Sequence, residues 1–181
     1  MFLNSIVVFD TNIQNIIFSL RSDFWNSFFF FITKFGDWSV ILILFICFSV
    51  WLFIIKKYKL ILPFLIAVIG SAVVTSIIKF LVDRQRPSFD NALYLETLPS
   101  FPSAHSTLTL VLFGFITCVV WRLNLNLISK IILSFVFVAL IFLVGFSRIY
   151  LGVHFASDVI GGYLTGLICL AIVVYFSRKR F

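Results

Sequence analysis

The chain has 181 residues, of which 62% are apolar and only 12% charged, whereas water-soluble domains run near half apolar and about a quarter charged. With a mean hydropathy of +1.16, this composition excludes a water-soluble globule and a disordered tail. The net charge of +7 is too thinly spread among Phe, Ile and Leu for a nucleic-acid face, and it suits membrane orientation better.

In chain order, residues 5–20 mix apolar side chains with Asp10, Asn12, Gln14 and Asn15, which suits a helix lying in the membrane interface. The first basic residue is Arg21 and no small-residue cleavage site follows, so a signal peptide fits poorly. The Phe-rich stretch 24–33 is too short to cross alone and is followed by Lys34 and Asp37. It reads either as a second interfacial piece or as an extension of the first span. Five uncharged stretches then meet the practical minimum of about 17 residues for a crossing: 38–55, 60–78, 105–121, 131–147 and 159–177. None alternates as a barrel strand does. The fold class expected is an all-α integral membrane protein, a bundle of about five transmembrane helices plus an N-terminal interfacial helix. One domain is expected over 1–181, with 1–37 interfacial, 38–177 the bundle and 178–181 a cytoplasmic tail. Cys47, Cys118 and Cys169 lie inside apolar runs without metal-ligand spacing and read as small buried hydrophobes.

If the five spans alternate, Lys56, Lys57, Lys59, Arg122, Lys130, Arg178, Lys179 and Arg180 share one side with no acidic residue. That side is expected to be cytoplasmic. The segments 79–104 and 148–158 then face outward, and they and the adjoining helix ends hold both histidines of the chain. Ionisable residues at membrane depth are costly and are functional candidates by default.

Three segments carry the chemistry. In the first, Lys79 closes the second span, and Pro87 forces Arg86 out of helical geometry. The chain therefore turns back and can return Arg86 to the bundle mouth near Lys79. Two cations there invite an anion, with the planar Arg fork suited to two phosphate oxygens. In the second, Pro102 and Ser103 are first-turn and capping residues for the next span, and His105 falls in its first turn. The helix N-terminus there also favours an anion. In the third, Arg148 adds another cation, and His154 and Asp158, four apart, share a helix face if the first turn starts near His154. A carboxylate on one imidazole nitrogen leaves the other free as a nucleophile. Together these suit metal-free phosphoryl transfer. Lys79, Arg86 and Arg148 neutralise charge, His154 attacks phosphorus, Asp158 steadies the imidazolium, and His105 protonates the leaving oxygen.

Each residue alone has a plainer reading: Lys79 as a snorkelling helix-end lysine, Arg148 as an interfacial anchor, His154 and Asp158 as a structural pair. A metal site lacks further ligands, because the chain has no third histidine and no outward cysteine. The convergence of both histidines with three cations on one face favours catalysis. Asp83, Arg84, Asp90 and Glu96 read as loop charges, with Glu96 a candidate for substrate contact.

The three segments resemble the signature of the type-2 phosphatidic acid phosphatase superfamily, the lipid phosphate phosphatases related to vanadium haloperoxidases. Lys79, Arg86 and Pro87 match its first part, Pro102, Ser103 and His105 its second, and Ser147, Arg148, His154 and Asp158 its third. Ala104 departs from the pattern, standing where the signature has glycine. The resemblance implies His154 as nucleophile, His105 as acid, Asp158 as its partner, and Lys79, Arg86, Ser103 and Arg148 as phosphate ligands, with no metal and no cofactor. It implies hydrolysis of a lipid phosphate or diphosphate held in the bilayer, at the outer face of a cytoplasmic (inner) membrane. Undecaprenyl diphosphate is the favoured substrate. Phosphatidylglycerol phosphate, phosphatidate and lipid A phosphates are rivals, and a non-catalytic lipid-phosphate binder is the alternative.

Overall fold

The computed structural model describes residues 2–88 and 92–178. The sequence-based assignments for Asp90, Lys179 and Arg180 fall outside those residues. Among the described residues the regular structure is helical throughout: α1 (Phe2–Ser19), α2 (Asp23–Thr33), α3 (Trp38–Ile54), α4 (Ile61–Val82), α5 (Ala104–Val120), α6 (Leu127–Tyr150) and α7 (Ala156–Ser177). Short 3-10 turns at Lys34–Gly36 and Tyr58–Leu60 join α2 to α3 and α3 to α4.

The bundle is built around α5, which packs against α4, α6 and α7. Its residues Val111, Leu112 and Phe115 are fully buried, and Phe115 stacks on Phe64 of α4 with ring centroids 4.7 Å apart. The outward faces of α4, α6 and α7 remain apolar, with Phe80, Phe135 and Phe176 largely exposed. That is the surface a hydrocarbon solvent accepts.

The helical class agrees with the sequence, but the span count differs in detail. Three helices are long and apolar enough to cross: α4 with its preceding turn, α6 and α7. The pair α2–α3 qualifies jointly, bent by 55° at its break, which makes four crossings if it forms one broken span. The Phe-rich stretch 24–33 forms α2, joined to α3 through the short turn at Lys34–Gly36. The remaining expected span, α5, has 17 residues, about 26 Å at 1.5 Å per residue. As the central helix it needs to match its neighbours more than the bilayer.

Two helices overrun their expected ends. α4 continues to Val82 and stops where Asp83 takes a left-handed conformation (φ 42°), and α6 continues past Ser147 to Tyr150. Lys79 and Arg148 thus lie inside final helical turns, both buried. Their charges did not end the helices because loop groups satisfy them there.

In the N-terminal helix α1, Asp10 and Gln14 are buried against the protein, while Asn12, Asn15, Val7, Val8 and Ile16 are exposed. α1 docks on α6 and α7. Asp10 accepts hydrogen bonds from the backbone N–H (2.9 Å) and hydroxyl (2.6 Å) of Ser157, and its Oδ2 pairs with Arg84 at 2.7 Å. Arg21 follows with a 2.6 Å bond to the carbonyl of Tyr150. The carboxylate of α1 is thus spent on the protein.

Candidate active site

The end of α4 and the starts of α5 and α7 meet at one end of the bundle, closed over by residues 83–88 and 92–103. Ser100 donates its backbone N–H to the carbonyl of Arg84 at 2.8 Å, folding the loop back on itself. Lys79, reaching up from α4, donates to the carbonyls of Pro99 and Ser100. Arg86 is drawn inward by the Pro87 turn, with Nε 2.6 Å from the carbonyl of Leu98 and one amino group 2.7 Å from that of Val153.

His154 lies in the turn between α6 and α7, one residue before the N-cap of α7 rather than on the helix itself. Gly152 makes that turn with φ 77°, a region costly for any residue with a Cβ. The N–H of His154 bonds back to the carbonyl of Arg148 at 3.2 Å. The imidazole is 1% exposed. Its Nδ1 lies 3.3 Å from the hydroxyl of Ser100, which in turn donates to Asp158 Oδ2 at 2.5 Å. The direct Nδ1–Oδ2 separation is 3.5 Å. Asp158 is held from three other directions: its Oδ2 accepts the N–H of Phe155 at 2.8 Å, and its Oδ1 takes Arg84 at 2.6 Å. Its backbone carbonyl accepts the N–H of Ser103 at 3.0 Å. The other ring nitrogen, Nε2, faces the guanidinium of Arg86 at 3.4 Å.

Burial first, and then the charges of Arg148, Arg86 and Lys79, push His154 well below the ordinary histidine range. The ring is therefore neutral at pH 7, with a free lone pair on Nε2 when Nδ1–H points to Ser100 and Asp158.

Beside this nitrogen sits an anion. Glu96 bridges Arg86, at 2.7 Å, and Arg148. Burial would raise its carboxyl, but Arg148 and then Arg86 outweigh burial and hold it at about 2. Arg148 is wholly buried and also donates to Thr33 Oγ1 (2.6 Å) and the hydroxyl of Tyr94. Its Nε–H is buried and has no partner among the described residues. Outside the pair lies a cavity of about 890 Å³ lined by the loop, including Arg84, Arg86, Glu96 and Leu98. The arrangement can hold an oxyanion between two guanidinium groups next to an imidazole nitrogen.

His105, in the first turn of α5, is paired through Nε2 with Asp37 Oδ1 at 2.9 Å. It shares its charged surroundings, Arg148 and Glu96, with His154. Arg86, Arg148, His154 and Asp158 thus converge, Lys79 stands beneath them, and His105 borders the same charges. Ser103 does not join them. Its hydroxyl caps α5, accepting from the Ser106 N–H (3.5 Å) and hydroxyl (3.0 Å), and the side chain is fully buried.

The sequence reading passed over several members. Arg84, read as a loop charge, joins Asp158 to Asp10, while Glu96, read as a candidate for substrate contact, fills the space between two arginines. Ser100, Tyr94 and Thr33 carried no signal, being common polar residues at uninformative spacing. Asp10 did carry one, as the single carboxylate of the stretch 5–20.

The model of the family described as PAP2 superfamily matches residues 60–181. Phosphatidylglycerophosphatase B of Bacillus subtilis is 35% identical over 105 residues, 57% of this chain and 51% of that protein, so the match spans about half of the relative's length. Among solved structures, a transmembrane PAP2-type phosphatidylglycerolphosphate phosphatase from Bacillus subtilis superposes with a TM-score of 0.89 at 29% identity, over 97% of this chain and 88% of that one. The Aquifex aeolicus LpxE structure superposes with a TM-score of 0.71 at 28% identity, over 92% of this chain and 95% of the other.

Proposed function

The chain belongs to the PAP2 superfamily, and from that premise we propose that it hydrolyses a lipid phosphate through a phosphohistidine on His154. The observation that carries this reading is the Glu96 carboxylate held by Arg86 and Arg148 beside Nε2 of a neutral His154. A phosphate has the same charge sign and a matching set of oxygens. It replaces Glu96 between the arginines, and the unpartnered Nε–H of Arg148 gains an acceptor.

Nε2 of His154 then attacks phosphorus as the bond to the lipid oxygen breaks. Nδ1–H stays bonded toward Ser100 and Asp158, which stabilise the imidazolium. Lys79, Arg86 and Arg148 balance the charge on the equatorial oxygens. His105 protonates the departing oxygen, and water then splits the N–P bond. Ser103 acts by starting α5.

The topology supports placing this chemistry at the outer membrane face with the C-terminus inside. Lys56, Lys57, Lys59, Arg122, Lys130 and Arg178 all fall at the helix ends opposite the site. The apolar outer surface suits a substrate whose tails stay in the bilayer.

The test is phosphate release by the purified protein in detergent. The panel holds phosphatidylglycerol phosphate, undecaprenyl diphosphate, phosphatidate and a lipid A phosphate. The name of the Bacillus subtilis relatives ranks the first of these ahead of undecaprenyl diphosphate, the preference drawn from sequence. Release from none of them, with the lipids still bound, would convert the reading to a binding protein.

A second measurement addresses Glu96. Held at about 2, it stays ionised across the working pH range and competes with every incoming phosphate. Glu96→Gln keeps a hydrogen-bonding side chain but removes the charge. Inhibition by vanadate is expected to tighten by about tenfold, equivalent to about 1.4 kcal/mol. Unchanged or weaker inhibition would mean that Glu96 orders the arginines instead of competing for them.

A further inference from the structure

Asp37 lies outside residues 60–181, the part of the chain that carries the family match. It occupies the N-cap position of α3, in extended conformation (φ −65°, ψ 140°). An aspartate there ordinarily accepts a hydrogen bond from the first-turn N–H groups of its own helix. The side chain of Asp37 makes no such bond. Its Oδ1 instead lies 2.9 Å from Nε2 of His105. The preceding residue reinforces the pairing. Gly36 is buried, and a Cβ placed on it would stand 2.6 Å from Cδ2 and 2.9 Å from Cβ of His105. The imidazole therefore lies against the bare Cα at the break where α2 and α3 bend by 55°. A missing side chain and a diverted helix cap, adjacent in sequence, converge on one ring.

We propose that Asp37 is the positioning carboxylate of His105, accepting its Nε2–H and leaving Nδ1 to exchange a proton with the leaving group. The break between α2 and α3 is then part of the active centre. This inference rests on the phosphatase reading above. The acid step uses the imidazolium form of His105, which burial disfavours and the bond to Asp37 favours. Its Nδ1 proton passes to the lipid oxygen as the P–O bond breaks and the Nε2–P bond of His154 forms. Neutral His105 then takes a proton from the water that cleaves the N–P bond, which returns it to imidazolium.

The charged groups facing His105 are Asp37 from the break, Glu96 from the loop and Arg148 from α6. Burial first, and then Arg148, disfavour the imidazolium, and the two carboxylates oppose them. Once phosphate displaces Glu96, Asp37 is the carboxylate that stays.

The chain has two histidines, so in a His154→Ala background nuclear magnetic resonance of the imidazole reads His105 alone. Adding Asp37→Asn, which keeps the shape and removes the charge, is expected to move that ring's titration midpoint down by about one unit or more. An unmoved midpoint overturns the proposal. With His154 intact, Asp37→Asn is expected to lower kcat on a phosphatidylglycerol phosphate by about tenfold or more while KM stays within about twofold. On p-nitrophenyl phosphate, whose leaving group departs unprotonated, the loss is expected to be about threefold or less. Equal losses on both substrates indicate a merely structural role, and a faster variant indicates a latch; either result overturns the proposal. A shifted midpoint in a protein whose wild type releases no phosphate supports the pairing and rejects the phosphatase reading alone.

Discussion

His154→Ala is expected to lower kcat/KM for lipid phosphate by at least about 10³-fold, since losing a covalent nucleophile removes the whole two-step route. The protein should remain folded, because the ring's own bonds are long: 3.3 Å to Ser100 and 3.4 Å to Arg86. Asp158 keeps Ser100, Arg84 and the Phe155 N–H. Residual turnover near wild type would reject the nucleophile. The pH dependence supplies a second check. A histidine held below 6.5 is neutral, and so nucleophilic, down to a lower pH than an ordinary one. The acid-side fall in kcat/KM assigned to the enzyme is thus expected below pH 6.5. The substrate's own second ionisation, near pH 6 for a phosphomonoester, must first be allowed for. An enzyme limb at or above 6.5 would mean that the burial and cations around His154 do not govern its proton.

Arg148→Ala is expected to cost about 10³-fold in kcat/KM, with most of the loss in kcat, as for other donors aimed at charge that develops in the transition state. It is also expected to destabilise the protein by about 2 kcal/mol or more, seen as a lower Tm in detergent. The side chain is wholly buried and gathers Thr33 from α2 with Tyr94 and Glu96 from the loop. Its removal leaves those groups without their shared donor. Arg148→Lys keeps the charge, but an ammonium cannot reproduce the planar fork that spans these partners. A loss of about 10²-fold is expected from it. Full activity in the lysine variant would show that only net charge matters at this position.

These two expectations draw on different levels of information. The apolar runs gave the helical class and most helix positions, because a helix in hydrocarbon must satisfy its own backbone and therefore declares itself in local composition. The three short segments singled out Lys79, Arg86, His105, Arg148, His154 and Asp158. Alternation of the spans then put those segments at one end of the bundle. That much is local: spacing along the chain, proline and capping chemistry, and the sign of nearby charge.

Tertiary structure decided which groups those residues meet. Glu96 between two arginines, Ser100 between His154 and Asp158, Arg84 joining Asp158 to Asp10, and Asp37 against His105 all pair residues far apart in sequence. No periodicity encodes them. A charged side chain in a low-dielectric bundle takes whichever partner the folded chain brings within reach. Asp10 and Asp37 each looked like a polar interruption near the interface, yet both are committed to the site by helices α1 and α3. Ser103 shows the opposite case, a motif residue whose hydroxyl is consumed by the cap of its own helix. Composition and motif fix where charge is concentrated. Only the packed helices fix what neutralises it, because that depends on distances of a few ångströms between segments that sequence spacing leaves free.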